Sequence, residues 1–180
     1  MNINPTARLC FRLMDANDGD LLFELDQDPE VMRYINGGKV TARSTIDEVM
    51  IPRMAAYRNP ALGWGLWAVN SRLDQAFLGW VLVRPMQFFS PAPDYQCLEL
   101  GWRFKQAYWG KGFATEAAAQ VAEAVAGAPG VRSLSAIALP GNTASIAVMK
   151  KLGMRYVKTD IHKDPLGDAE VVYYTRRLAT

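Results

Sequence analysis

Short hydrophobic runs, several of them alternating with polar residues, recur along the chain and are bounded by turn-forming residues. Such runs are typical of strands that bury one or both faces. Two of them, at residues 65–69 and 77–83, are separated by a short polar turn, which indicates a β-hairpin. The pattern as a whole predicts seven strands, at residues 7–14, 65–69, 77–83, 95–104, 131–139, 155–161 and 169–178.

Other segments repeat their hydrophobic residues at helical spacing. The clearest follows residue 113, where Phe113, Ala117, Val121 and Val125 fall on one side and Glu116 falls on the other. Pro52 is expected to kink or split the helix in which it lies. The helices are predicted at residues 21–25, 29–34, 44–57, 114–126 and 142–152, the last beginning at Asn142 or Thr143.

The order of these elements predicts a mixed α/β fold. Two strand–helix units follow a run of strands, an order that places a central sheet against helices. A length of 180 residues suits one domain spanning residues 1–180. Half of the residues are hydrophobic, which argues against disorder, and a net charge of +2 gives no general attraction to nucleic acid or to anionic membranes.

Cysteine and histidine are scarce. Cys10 and Cys97 lie in separate apolar runs, so we expect two buried thiols, with one disulfide as the alternative. One histidine, His162, and two cysteines cannot supply the four ligands of a structural zinc site, so no metal is expected. No secretory signal is visible at the start of the chain, and the apolar run 113–128 is short and interrupted by charge. We therefore expect a cytoplasmic protein with no membrane partner.

Residues 109–117, WGKGFATEA, carry the most informative chemistry because they follow a predicted strand and open a predicted helix. Two glycines allow the backbone to approach a ligand closely, and the first turn of a helix presents unpaired N–H groups. Together they suit a phosphate or pyrophosphate. Neither a Walker A loop nor a dinucleotide fingerprint fits, because Gly112 follows Lys111 and Thr115 stands where a third glycine is required. The alternative is a glycine turn that only connects two elements.

This segment resembles the acetyl-coenzyme A loop of the GNAT superfamily of N-acetyltransferases, Q/R-x-x-G-x-G/A, with Trp109, Gly112 and Ala114 at its three defined positions. Trp109 departs from the usual glutamine or arginine. The string at residues 108–117 looks like the RimJ/RimL-type branch of that family. Two further segments, at residues 99–102 and 142–154, resemble the E-x-G-Y/W and N-x-x-S…K-L-G-F signatures of the same branch.

The resemblance implies a mixed, splayed sheet in which acetyl-coenzyme A binds between the parallel strands 98–104 and 131–139. It implies that the pantetheine arm lies along the backbone of Trp102, Arg103 and Phe104, and that Asn142 bonds the arm, caps its helix, or does both. The pyrophosphate is then expected on the loop that begins at Trp109, held by the N–H groups of Gly110, Lys111, Gly112, Phe113, Ala114 and Thr115.

Two residues are candidates for the chemistry. Glu99 precedes the pantetheine segment and could accept the proton of an amine directly or through water, the alternative being a structural carboxylate. Many GNAT enzymes are thought to protonate the leaving thiolate with a tyrosine, but that position here is Met149. Ser145 is the substitute that the resemblance suggests, the alternative being a helix cap. His162 is expected to be structural or exposed rather than catalytic.

The expected function is transfer of the acetyl group of acetyl-coenzyme A to a primary amine by direct attack in a ternary complex. The acceptor could be a protein N-terminus or a small molecule, and we expect its pocket between the N-terminal helices and the last hairpin, near Tyr34, residues 36–39 and Tyr173. A non-catalytic acyl-coenzyme A sensor is the alternative. No nucleic-acid partner is expected, and the C-terminal edge strands could pair two subunits in a homodimer.

Overall fold

The computed structural model describes residues 1–179, and its seven strands form one sheet. The spatial order is β1-β2-β3-β4-β5-β7-β6, and β4–β5 is the parallel neighbour pair in this otherwise antiparallel arrangement. The predicted mixed α/β fold is confirmed. The strands are β1 (Leu9–Leu13), β2 (Gly65–Ser71), β3 (Phe77–Met86), β4 (Asp94–Phe104), β5 (Ser133–Ala138), β6 (Arg155–His162) and β7 (Ala169–Arg177).

Helices cover both faces of this sheet. The segment that contains Pro52 is divided, as expected, by a π-helical turn, Ile46–Met50, that immediately precedes the proline-bearing helix. Proline lacks the N–H that an uninterrupted α-helix requires, so the wider turn relieves the break. The helices are α1 (Gly19–Leu25), α2 (Pro29–Asn36), α3 (Arg43–Thr45), α4 (Ile51–Tyr57), α5 (Phe113–Ala126) and α6 (Thr143–Lys151).

The two faces of β4 belong to different layers because successive side chains of a strand point in opposite directions. Leu98, Leu100 and Phe104 pack with α5 in the main core. Glu99 and Arg103 lie on the other face, on the side of the N-terminal helices, where Leu82 of β3 joins the second apolar cluster. This division leaves α5 and the N-terminal helices on opposite sides of one strand.

Both cysteines are free thiols, as predicted, and Cys97 is buried. The predicted burial of Cys10 is wrong, because that residue is only half-buried. Within residues 1–179, no helix combines the length and the apolar character that crossing a membrane would require.

Candidate active site

A gap opens between the two parallel strands at the centre of the sheet. β4 and β5 are paired at Cys97, Leu98 and Glu99, opposite residues 133–135. Beyond Glu99 the strands separate, although β4 continues to Phe104 and β5 to Ala138. The splayed sheet that the resemblance implied is therefore present, and such a gap at the carboxyl ends of parallel strands is a common ligand position.

Backbone polar groups of β4 line one side of this gap. The N–H of Lys105 donates to the carbonyl of Leu78 at 2.9 Å, so Lys105 faces β3. Because the direction of these bonds alternates along a strand, Phe104 and Trp102 present their N–H and C=O groups to the gap. Arg103 faces β3 instead, and its side chain forms a buried ion pair with Asp26 at 2.6 Å. Of the three predicted strand residues, Trp102 and Phe104 thus lie at the open edge.

The glycine loop follows β4 directly. Gly110 and Gly112 have φ values of 70° and 79°, in the left-handed region that side chains disfavour. The first helical hydrogen bond of α5 runs from the N–H of Glu116 to the carbonyl of Gly112 at 3.0 Å. The N–H groups of Phe113, Ala114 and Thr115 are consequently the unpaired donors of the first turn. This arrangement can hold an anion at the mouth of the gap.

Trp109 fastens the loop to the end of β4. Its indole Nε1 donates to the carbonyl of Phe104 at 2.8 Å, and 45% of the residue remains exposed. The carbonyl that would otherwise stay free at the gap is therefore satisfied within the chain. Lys111 donates from Nζ to the carbonyl of Ala107 at 2.9 Å and so braces the turn before the loop.

On the opposite side of the gap, Asn142 caps α6. Its Oδ1 accepts from the backbone N–H of Ser145 at 3.1 Å, so Asn142 and not Ser145 is the cap. Ser145 is half-buried and lies one turn before Met149, which is fully buried. Residues four apart share a helix face, and Ser145 therefore lies on the side of α6 that faces the sheet. Its hydroxyl is not required for the cap.

Glu99 lies where the two strands separate, and it is paired with Arg84 on β3. The Nε of Arg84 donates to Oε2 of Glu99 at 2.8 Å, and Nη2 donates to Oε1 at 3.1 Å. Both residues are buried, with 4% and 8% exposed. Burial by itself would lower the pKa of Arg84, but the charge of Glu99 and its hydrogen bonds outweigh this effect and raise it. The sequence analysis did not identify Arg84 as the partner of Glu99. The one available signal is a single charged residue in an otherwise apolar strand.

Ion pairs and aromatic rings form the wall between α4 and the last hairpin. Arg53 on α4 is paired with Asp164 in the turn between β6 and β7. Burial would raise the pKa of Asp164, but the N–H of Leu166 and the guanidinium of Arg53 lower it overall. Burial raises the pKa of Tyr57, whose ring packs against Phe88 and Phe89, to about 12.

The other residues expected near an acceptor are spread around the same end of the sheet. Tyr173 is buried, and its hydroxyl lies 3.2 Å from Nδ1 of His162, which is also buried. Tyr34 at the end of α2 approaches the β5–α6 loop, since a Cβ on Gly141 would lie 3.8 Å from its ring. In the part of the chain that the structure describes, no three His, Cys, Asp or Glu side chains are grouped as metal ligands.

Comparison with known proteins identifies the family of this chain. The pattern described as "Acetyltransferase (GNAT) domain" matches residues 8–155. The uncharacterized protein YkkB of Bacillus subtilis (strain 168) is 32% identical over 155 residues, 86% of each chain. The FsC-acetyl coenzyme A-N(2)-transacetylase of Aspergillus fumigatus is 26% identical over 160 residues, 88% of this chain and 67% of that protein.

Among solved structures, the ribosomal L7/L12 α-N-protein acetyltransferase RimL in complex with coenzyme A aligns with a TM-score of 0.77. The alignment covers 99% of this chain and 98% of RimL at 12% identity, so it shows a common fold. The family pattern spans most of the chain and includes both the separated strands and the glycine loop. The protein therefore belongs to the GNAT family of acetyltransferases and is an acetyl-coenzyme A-dependent acyltransferase.

Proposed function

We propose that this protein transfers an acetyl group from acetyl-coenzyme A to a primary amine, as a RimJ/RimL-type member of its family. The observation that carries the proposal is the position of the loop. The bare N-terminus of α5 lies directly after the strand whose open edge forms the gap, and the indole of Trp109 joins the two at 2.8 Å. One elongated ligand with an anionic end can therefore be held along a continuous line of backbone donors.

The chain offers separate groups for each part of the cofactor. Trp102 binds the pantetheine arm through its backbone N–H and C=O groups at the open edge of β4, and Phe104 binds it through its N–H group, because the carbonyl of Phe104 already accepts from Trp109. Arg103 keeps that strand in place through Asp26. Asn142 holds the start of α6 on the other side of the gap. When bound, acetyl-coenzyme A supplies an activated acetyl thioester. The loop that Trp109 fastens binds the pyrophosphate through the N–H groups of Gly110, Lys111, Gly112, Phe113, Ala114 and Thr115.

In the transfer, the amine nitrogen forms a bond to the acetyl carbon, the carbon–sulfur bond breaks, and the amine loses a proton. Glu99 is the proposed acceptor of that proton, directly or through a water molecule. Its two oxygens offer about four lone-pair positions in total, and the two bonds from Arg84 leave the others available. The same carboxylate can accept a hydrogen bond from the ammonium and so orient it before it is deprotonated.

Ser145 is the proposed donor to the departing thiolate. It faces the sheet from the first turn of α6, and Asn142 already supplies the helix cap, so its hydroxyl is available. Met149 occupies the position at which a tyrosine is expected from the family resemblance, and it is buried in the main core. A hydroxyl that donates to developing negative charge lowers the barrier to leaving-group departure.

The ion pairs on the proposed acceptor side of β4 favour an amine of low charge. Glu99, Asp164 and Asp26 are each paired with an arginine, so these carboxylates provide no surplus of negative charge for a polycation. The names of the structural neighbours cover both acceptor classes, since one is an α-N-protein acetyltransferase of ribosomal L7/L12 and another is an aminoglycoside acetyltransferase. A protein N-terminus or a small-molecule amine is therefore the proposed acceptor.

An acceptor screen tests this proposal. The wild-type chain is supplied with acetyl-coenzyme A and a panel of amines and N-terminal peptides, and free thiol and acetylated product are both quantified. Equal amounts of thiol and product with at least one acceptor are expected. Binding of acetyl-coenzyme A without thiol release across the panel would contradict the proposal and favour an acyl-coenzyme A sensor.

A further inference from the structure

Arg8, just before β1, contacts the glycine loop although more than a hundred residues separate them in sequence. Its Nε donates to Oε2 of Glu116 at 2.7 Å, and its Nη2 lies 2.5 Å from the same oxygen. Its Nη1 donates to the carbonyl of Lys111 at 3.1 Å, and its guanidinium lies 4.2 Å from the centre of the Phe113 ring. One side chain thus touches both the loop and the first turn of α5.

Thr6 completes this cluster, which we call the Arg8 clamp and define as Thr6, Arg8 and Glu116. The hydroxyl of Thr6 donates to Oε1 of Glu116 at 2.5 Å and accepts from the N–H of Leu9 at 2.9 Å. Both carboxylate oxygens of Glu116 are therefore engaged by the segment that leads into β1. The clamp fixes the orientation of a charged side chain in the first turn of the helix.

Glu116 presents an electrostatic problem for a cofactor that carries phosphates. A carboxylate in the first turn stabilises an empty helix, but it also repels an anion that approaches the same N–H groups. Burial would raise the pKa of Glu116, but the bonds from Thr6 and Arg8 lower it overall, so the side chain is charged at neutral pH. Without a neighbouring cation, Glu116 would weaken pyrophosphate binding.

We infer that Arg8 is a positioning residue for coenzyme A binding: it holds Glu116 in place and cancels its charge beside the pyrophosphate loop. This inference rests on the proposed cofactor site. It requires no direct contact between Arg8 and the cofactor. It assigns a role to the N-terminal segment, which the sequence motifs of the loop do not include.

The test measures the dissociation constant of coenzyme A by titration calorimetry for four chains: wild type, Arg8→Ala, Glu116→Gln and the double variant. Arg8→Ala is expected to weaken binding on the order of tenfold, since it leaves an uncompensated carboxylate beside the loop. Glu116→Gln is expected to bind at least as tightly as wild type. The double variant should return to within about threefold of Glu116→Gln, because the charge that Arg8 cancels is gone.

Arg72→Ala is the matched control, because Arg72 donates to the backbone carbonyl of Thr6 at 2.8 Å and so supports the same segment. It should leave coenzyme A affinity unchanged. Equal weakening by Arg8→Ala and by the double variant would show a purely structural role and would overturn the inference. If Arg8→Ala does not fold, Arg8→Lys keeps the charge, and a loss of about tenfold in that variant would also contradict the electrostatic account.

A second ligand, which lacks the 3′-phosphate, tests which phosphate group of the cofactor Arg8 affects. Arg8→Ala should weaken binding of 3′-dephospho-coenzyme A as much as binding of coenzyme A, since both carry the pyrophosphate. Weakening confined to coenzyme A would place Arg8 at the 3′-phosphate and overturn the inference. Failure of the proposed cofactor site is distinguishable, because the wild-type chain would then not bind coenzyme A at all. Failure of acetyl transfer alone would leave these affinities intact and would show in the acceptor screen as binding without thiol release.

Discussion

The two ends of the gap between β4 and β5 differ in the kind of polar group that lines them. At the loop end, donors belong to the backbone, and two glycines with φ values of 70° and 79° shape them. At the opposite end, the polar groups are side chains held in ion pairs, the buried pair of Arg84 with Glu99 and the half-buried pair of Arg53 with Asp164. The loop can therefore hold a ligand through its backbone, whereas the other end depends on the identity of particular side chains.

The comparison first predicts a difference in stability. Glu99→Ala should lower the free energy of unfolding by about 3–5 kcal/mol, because it leaves the buried guanidinium of Arg84 without a partner. Urea denaturation measures the change. Glu123→Ala is the control, since its ion pair with Arg176 has a carboxylate that is 71% exposed and should contribute less than about 1 kcal/mol. Similar losses of unfolding free energy in both variants would contradict the prediction that the buried pair contributes more than the exposed pair.

Ser145 gives the next largest effect, on the rate of the reaction. Ser145→Ala should lower kcat by roughly 10- to 100-fold, about 1.4–2.7 kcal/mol, through loss of one donor to the thiolate. Its stability should remain near wild type because Asn142 caps α6. Asn142→Ala should instead cost about 1 kcal/mol of stability. A wild-type kcat in Ser145→Ala, in an assay limited by chemistry, would rule out the catalytic role.

The loop end is tested by Gly112→Val, which should raise the KM for acetyl-coenzyme A by at least about tenfold, or 1.4 kcal/mol. A β-branched residue is strained at a φ of 79° and places a side chain where the proposed site has the backbone meet the pyrophosphate. Gly127→Ala is the control, because Gly127 ends α5 at a φ of −82° with open space around its Cβ position. An unchanged KM in a folded Gly112→Val would contradict the loop assignment.

The same contrast explains how much the sequence could reveal. Gly110, Gly112 and the helix that follows are local features, so their spacing predicted an anion-binding turn directly. The strand pattern predicted all seven strands for the same reason. The pairing of Arg84 with Glu99 depends on the register of β3 against β4, which shifts between Pro85 and Met86. No local pattern contains that register.

The Arg8 clamp was missed for a related reason. Arg8 and Glu116 lie 108 residues apart, and each is an ordinary surface charge when considered alone. Only the packing of the N-terminal segment beside α5 brings them together. The sequence alone does not choose the cap of α6, because Asn142, Thr143 and Ser145 are all cap-forming residues. Backbone geometry at the start of α6 selects Asn142.

The most direct test of the central claim is a titration of isotope-labelled protein with coenzyme A, followed by amide NMR. The claim is that the open edge of β4 and the glycine loop form one cofactor site, with the β6–β7 hairpin tip outside it. We predict saturable shifts for the amides of Trp102, Phe104, Gly110, Gly112, Ala114 and Thr115. Amides of residues 164–168 should shift far less. Saturable shifts confined to the hairpin, with the loop amides unmoved, would contradict the account.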